Sequence, residues 1–288
     1  MHWLSPFVGL LALAAAAPSP PATFTEPVKG IDNKVFKRIV HFLKIAQATY
    51  AGDSCHIKNV PRLATFYNAT TDIYGWISRD DATRELIISF RGTVSDINHD
   101  QNLNSTLADM SATLPECVGC KSHGGYYLNW LSIQDQVYAR LQEQQEAYPD
   151  YSLIVTGHSL GGGLAGISSA HFLARGLRLT TFTYGEPRIS NPAFADWLDL
   201  HFKTGSLKTT GYLRTTHAND GIIPIPATSL GYRHQGLELW ALDPPSAQNT
   251  WVCPPEGFCA EASNNGTGIN TPHIFYFGVG SGNCTKTV

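Results

Sequence analysis

Beyond its first seventeen positions the chain has no apolar run long enough to span a bilayer, so helical membrane spans are excluded from the rest of it. Charge is also scarce: only 15% of residues are Asp, Glu, Lys or Arg, the net charge is -3, and no dense Lys/Arg run occurs. A nucleic-acid partner needs a basic face and is therefore excluded. No internal repeat is visible. "CVGC", at Cys117 and Cys120, has no second close cysteine pair and no histidine pair to complete a tetrahedral zinc site. Nothing in the chain calls for another metal or a cofactor. With 288 residues and 43% of them hydrophobic, the chain can bury a substantial core and serve a neutral or apolar small partner.

The first residues, "MHWLSPFVGLLALAAAAPSPP", hold an apolar run, Leu4 to Ala17, that ends in small residues before prolines. That order is expected of a signal peptide over residues 1–17, cut near Ala16 or Ala17, with a linker or propeptide at 18–27. An ordinary buried helix is the alternative, but "PSPP" follows too abruptly for a packed element. A secreted chain fits the six cysteines, Cys55, Cys117, Cys120, Cys253, Cys259 and Cys284. An even number suggests three disulfides, with fifteen pairings open. Sequons at Asn68, Asn104, Asn265 and Asn283 point the same way.

"DNKVFKRIVHFLKIAQATY" places Val35, Phe36, Ile39, Val40, Leu43 and Ala46 on one helical face behind an Asp32 N-cap. Strands are expected at Leu63–Tyr67, Ile73–Ser78 and Glu85–Phe90. The polar stretch after Thr93 reads as a long loop or a short surface helix. "GGYYLNWLSIQDQVYARLQEQQEAY" reads as a long helix, apolar at Trp130, Ile133, Val137 and Leu141 and stopped by Pro149. Strand Tyr151–Thr156, helix Leu160–Ala174, strand Arg178–Tyr184, a helix opened by Asn191 and Pro192, and strand Gly211–Thr215 follow. That alternation implies one α/β domain from residue 28 to 288, with a mostly parallel central sheet and helices on both faces.

Within it, "GHSLG" matches the G-x-S-x-G elbow, with a β-branched strand before it and a helix rich in small residues after it. Gly157 and Gly161 allow the close backbone approach such a turn requires. A hydroxyl at Ser159 is a poor nucleophile unless a base oriented by an acid stands beside it. On a doubly wound sheet the acid and then the histidine follow the serine in the chain. Asp220, in "THANDGI", sits in a turn after a strand; His273, in "TPHIFYFG", sits on a turn before an aromatic run. His234, in "GYRHQG", reads as structural or solvated. The bland alternatives are a turn-forming Asp220 and an edge histidine at 273. An oxyanion needs backbone donors, and Leu160 supplies one at a helix start. Thr93, after "ELIISFRG", offers an N–H and a hydroxyl; a plain strand exit at Arg91 and Thr93 is its alternative.

From about residue 31 to 285 the chain resembles the fungal class 3 lipase family, in the subgroup that contains type A feruloyl esterases. The likeness is carried by "FRGT", "LPECVGCKSHGGYY", "VTGHSLGG", "YGEPRISNPAFA", "THANDGI", "DPPSAQNTWVC" and "TPHIFYFG". The resemblance implies an α/β-hydrolase fold, a triad of Ser159, Asp220 and His273, and an oxyanion hole at Thr93 and Leu160. It also implies the disulfides Cys55–Cys284, Cys117–Cys120 and Cys253–Cys259. Lipases of this type carry a lid helix with a central tryptophan; here "SDINHDQNLNS" has His99 near that place and Asp100 beside it, a polar lid closer to the esterase. Tyr126 matches one pocket tyrosine of the esterase, and Ile225 and Ile269 fall at its apolar ring contacts. Its other pocket tyrosine is Ser105 here. The reading is therefore a secreted, extracellular serine carboxylester hydrolase, acting on acylglycerols and touching a lipid interface transiently. A feruloyl esterase is the alternative, and a binding protein with a dead triad is the rival from another class. None of these readings requires an obligate protein partner.

If Cys55 joins Cys284, the bridge closes a loop of more than two hundred residues. Chain entropy then gives it about 5 kcal/mol of stabilisation. Non-reducing peptide mapping should recover the Cys55–Cys284 peptide, and selective removal of this bridge should lower stability more than removal of Cys117–Cys120.

Overall fold

The computed structural model describes residues 26–254, 259–263 and 267–282. The expected signal segment, most of the expected linker, Asn265, Asn283 and Cys284 lie outside them. Asp32 caps the first helix, α1 (Asn33–Ala48), by accepting the Lys34 N–H at 2.7 Å, which satisfies a donor the helix itself cannot. Ile39, Leu43 and Ala46 are buried on its inner face with Phe42 and Ile45, while Val35, Phe36 and Val40 are partly buried against the same core.

Strands β1 (Arg62–Asn68), β2 (Ile73–Asp80) and β3 (Glu85–Phe90) then pair antiparallel in sequence. The polar stretch folds as helix α2 (Asp96–Leu103), followed by a small antiparallel pair, β4 (Leu107–Asp109) and β5 (Lys121–His123). Next come α3 (Gly124–Ala147), β6 (Ser152–His158), α4 (Leu160–Ala174), β7 (Leu179–Tyr184), α5 (Pro192–Phe202) and β8 (Tyr212–His217). As expected, Asn191 caps α5, accepting the Phe194 N–H at 3.0 Å, and Pro192 opens it. Two further strands, β9 (Leu237–Ala241) and β10 (Thr250–Cys253), complete the sheet.

The eight-stranded sheet runs β1-β2-β3-β6-β7-β8-β9-β10, with β3, β6, β7, β8 and β9 parallel. This is the α/β-hydrolase architecture: both faces are covered, so the central strands are buried almost throughout, β3 and β6 with mostly apolar side chains and β7 and β8 with several polar ones. Side chains alternate faces along a strand. Ile87 and Ile154 therefore enter the α1 core, and Ile88 and Val155 enter the core under α3 and α4. Trp130, Ile133, Val137 and Leu141 all lie in that second core. No helix among the described residues is long and apolar enough to cross a membrane. The bonds Cys117–Cys120 and Cys253–Cys259 are formed, and Cys55 is disulfide-bonded as well.

Each outer strand is engaged on its free side at one residue. On β1, the Gln136 side chain donates to the Tyr67 carbonyl at 3.1 Å and accepts the Tyr67 N–H at 3.4 Å. On β10, Val28 exchanges both backbone bonds with Val252 at 2.8 Å each.

One buried acid holds the loop that follows β7. Glu186 is fully buried and accepts from Thr183 Oγ1 at 2.5 Å, Tyr212 Oη at 2.9 Å and Gln235 Nε2 at 2.5 Å. Burial pushes its carboxyl from 4.5 up to about 7, against the pull of those donors and of the Arg214 charge. A folded value above the unfolded one means that the folded state keeps a proton the unfolded chain releases. Stability therefore falls as pH rises from 4.5 through 7. Glu186→Gln should gain on the natural protein across that window, by on the order of 3 kcal/mol at full ionisation. Parallel urea-midpoint curves for the two proteins between pH 4.5 and 8 would refute it.

Candidate active site

The site is built at the carboxyl ends of β3, β6 and β8, where open α/β sheets present functional groups. β6 turns into α4 through Ser159, whose φ of 59° and ψ of -128° lie outside the regions favoured by residues with a Cβ. The surroundings hold it there. The Ser159 N–H donates to the Tyr184 carbonyl at 2.9 Å, and its own carbonyl accepts the Gly163 N–H at 3.1 Å. A Cβ at Gly157 would stand 2.0 Å from the Gly161 carbonyl oxygen, and a Cβ at Gly161 would stand 2.3 Å from that of Phe90. The elbow closes only because both positions are glycine.

Ser159 makes no cap hydrogen bond to its own helix, which leaves its side chain to the site. Its Oγ lies 2.9 Å from His273 Nε2. His273 Nδ1 lies 2.9 and 3.0 Å from the two oxygens of Asp220. A carboxylate only accepts, so the Nδ1 proton points at Asp220 and Nε2 accepts from the serine hydroxyl. Asp220 is fully buried. Burial alone would raise its carboxyl, but bonds from His273, the His273 charge, the Tyr276 hydroxyl and the Ile222 N–H hold it below the ordinary value. It is the ionised, orienting member of the chain.

Residues without an obvious motif hold these loops together. Asn270 caps the short helix Thr271–Ile274 by accepting the His273 N–H at 3.1 Å. It also donates to the Asn219 carbonyl at 2.8 Å, tying the histidine turn to the acid turn. Tyr276 donates to Asp220 Oδ2 at 2.5 Å. The Asn270 cap was readable in "NTPH", since Asn before a Pro-opened turn is an N-cap signal. Tyr276 had only its place three residues past His273 to mark it.

The oxyanion candidates meet from two neighbouring strands. Phe90 of β3 and Gly157 of β6 are in register, so Thr93 and Leu160 leave the sheet at the same end. The Leu160 N–H stands in the first turn of α4 and has no acceptor within that helix. The Thr93 hydroxyl accepts a bond from Asn102 Nδ2 at 2.9 Å, so its proton is left to donate elsewhere. Asn102 was missed in the sequence. It rides on α2, whose own anchor is the fully buried Asn98, donating to the Thr71 carbonyl at 3.0 Å and accepting the Val94 N–H at 3.2 Å.

The remaining expected residues are more scattered. Tyr126 is buried at the start of α3, its ring stacked on His123 at 3.9 Å. Ile225 is partly buried beside a cis peptide to Pro226, and Ile269 is exposed. His99 and Asp100 face solvent, and the Ser105 carbonyl accepts the Tyr232 hydroxyl at 2.7 Å. His234 is structural, bonded to the Ile223 carbonyl at 2.8 Å. Asn104 is exposed at the end of α2. Asn68 departs from a free sequon: its amide donates to the Ser132 carbonyl at 2.9 Å and accepts the Thr70 N–H at 2.9 Å.

Residues 87–230 match the family model "Lipase (class 3)". Among curated relatives, a lipase of Rhizopus niveus is 29% identical over 234 residues, covering 77% of this chain and 55% of that protein. The chain thus spans about half the length of the first such relatives. A secreted mono- and diacylglycerol lipase of Fusarium solani is 26% identical, covering 94% of this chain and 86% of that protein. Among solved structures, the lipase of Rhizopus microsporus var. chinensis superposes with a TM-score of 0.75 at 28% identity, covering 97% of this chain and 100% of that one. Lip2 of Yarrowia lipolytica gives 0.79 at 25% identity, covering 91% and 98%.

A fluorophosphonate needs only an activated serine. It should label Ser159 alone, as read by peptide mass mapping. His273→Ala should slow labelling by about 10²-fold or more, since an unassisted hydroxyl is a poor nucleophile. Labelling that survives in Ser159→Ala would remove this serine from the centre of the site.

Proposed function

The chain belongs to the class 3 lipase family, and we propose that it is a serine carboxylester hydrolase acting on acylglycerols. The observation that carries the reading is the unbroken hydrogen-bond chain Ser159–His273–Asp220 at a strained elbow. His273 takes the hydroxyl proton as Ser159 attacks the ester carbonyl, and Asp220 holds the imidazole in the tautomer that accepts it. The Leu160 N–H and the Thr93 hydroxyl, held by Asn102, receive the oxyanion. His273 then protonates the leaving alcohol, and water attacks the acyl-enzyme by the same base. These bonds favour an active triad over a dead one.

The acyl side favours acylglycerol over hydroxycinnamate. Ser105 stands where the esterases carry a pocket tyrosine. The ring of the other, Tyr126, already stacks on His123 inside the protein. Ile225 and Ile269 offer aliphatic contacts. Curated relatives include proteins named mono- and diacylglycerol lipases from Fusarium solani and Penicillium cyclopium. We place the enzyme outside the cell, with residues 1–17 as a cleaved signal and the catalytic domain over 28–288. Glycans would go to exposed sequons such as Asn104 rather than to Asn68, whose amide is engaged.

The polar α2 is the feature that favours the feruloyl alternative, and it also bears on lipid surfaces. Its exposed apolar groups are Ile97 and Leu103, with Val94 just before it, while Asn98 pins it from below. So small a face buries little area at an interface.

Tributyrin should therefore be turned over well above methyl ferulate, with a rate that climbs smoothly through the solubility limit. Ser159→Ala should lose about 10⁴-fold or more of that activity while staying folded. His99→Trp should raise the ratio of emulsified to soluble ester hydrolysis, because indole favours the interface. Preference for methyl ferulate would move the enzyme to the esterase reading. A sharp jump at the solubility limit would make α2 a mobile lid.

A further inference from the structure

Two polar side chains beside the triad have no part in the mechanism above. His158, the residue before the nucleophile, is 2% exposed. Its Nε2 lies 2.8 Å from the backbone carbonyl of His273, and its Nδ1 lies 2.8 Å from the Tyr50 hydroxyl. A carbonyl only accepts, so the His158 proton sits on Nε2, Nδ1 is the acceptor, and Tyr50 donates. The His158 ring also lies against the His273 ring, with centroids 4.7 Å apart and planes 35° apart. Tyr50 reaches the oxyanion loop too: a Cβ at Gly92 would stand 1.8 Å from its hydroxyl oxygen and 2.8 Å from the His158 carbonyl oxygen. Gly92 is therefore pressed flush against Tyr50, one residue before Thr93.

We infer that Tyr50 and His158 are positioning residues for the hydrolysis: they hold the His273 backbone, and with it Nε2, in line with Ser159, and lock the Thr93 loop to the same frame. The inference rests on the triad reading above. Tyr50 touches the residue before Thr93 and the residue before Ser159, and through His158 it fixes the base. Three loops from separate parts of the chain are thereby set by one hydroxyl and one imidazole. The environment also suits a neutral ring. Burial, and then the neighbouring His273, lower His158 from 6.5 to about 3, while the His273 carbonyl bond and the Asp220 charge pull the other way. The imidazolium that forms on His273 during attack thus meets an uncharged neighbour.

The test uses the full chain with a soluble short-chain ester, reading kcat and KM separately, together with the fluorophosphonate labelling rate and the thermal midpoint. Displacing a catalytic group by a fraction of an ångström lowers turnover without changing binding, so Tyr50→Phe should lose about tenfold in kcat with KM unchanged. His158→Leu removes both bonds and should lose about 10²-fold, and His158→Gln, which restores a donor near Nε2, should recover about tenfold of that. Labelling rates should follow kcat. Unchanged kcat in Tyr50→Phe, a loss confined to KM, or a Gln variant no better than Leu would each overturn the inference. Should the Leu variant fail to fold, Tyr50→Phe decides it by the same readings. Activity persisting in Ser159→Ala would instead sink the triad reading. An inert Ser159→Ala beside a normal Tyr50→Phe would sink this inference alone.

Discussion

The contact on which the site depends is the seating of the first turn of α4 against the ends of β3 and β6. Gly161 lies on the Phe90 carbonyl and Gly157 lies on the Gly161 carbonyl, closer than any side chain permits. That approach forces Ser159 to a positive φ and aims its side chain away from its own helix. Strain of this kind costs on the order of 1–3 kcal/mol and persists only where surrounding structure over-determines it. Here the apolar strands β3 and β6, buried on both faces, supply that rigidity. Thr93 and Leu160 converge for the same reason, since they leave adjacent, registered strands.

Around this fixed point the other functional groups sit on loops and are held by polar bonds rather than by core packing. Asp220 and His273 are more than fifty residues apart, and Asn270 and Tyr276 bind the two turns into one unit. Burial excludes water from Asp220, which strengthens each of its hydrogen bonds and makes any missing donor expensive. The arrangement joins a serine set by backbone geometry to a histidine set by a satisfied network.

That division explains what was legible in the sequence. The elbow is a local pattern, a β-branched strand broken by glycines before a small-residue helix, and it reads directly. Asp220 and His273 were the candidates because chain order after an elbow restricts the choice, and the structure brings both to Ser159. Strands β1 to β3 and β6 to β8 and the helices α1, α3, α4 and α5 follow from periodicity and caps, whereas β4 and β5, three residues each, are too short to show a period. By contrast β9 carries Glu238, a buried carboxylate satisfied by Thr216 and by the N–H groups of Cys259 and Ala260, and an acid inside a strand hides its apolar character. β10 is too short to show a period. Asn102 and Asn98 look like ordinary polar residues of a surface segment, because their partners, Thr93 and the Thr71 carbonyl, are set by tertiary folding. Asn68 shows the converse: its sequon is local, but the Ser132 carbonyl that occupies its amide belongs to a distant helix.

The two flanks of the sheet have a consequence for the molecule in company. An outer strand with free N–H and C=O groups is a template on which a second copy can add its own strand. At β1 the Gln136 amide imitates such a strand by satisfying both backbone groups of Tyr67, and Arg62, Arg140 and Glu143 surround the groove alongside. At β10 the place is taken by Val28, with Lys29 lying over the Trp251 ring. Copies crowded together would meet each edge already engaged at one of its residues, which leaves less of it free to pair with a second sheet.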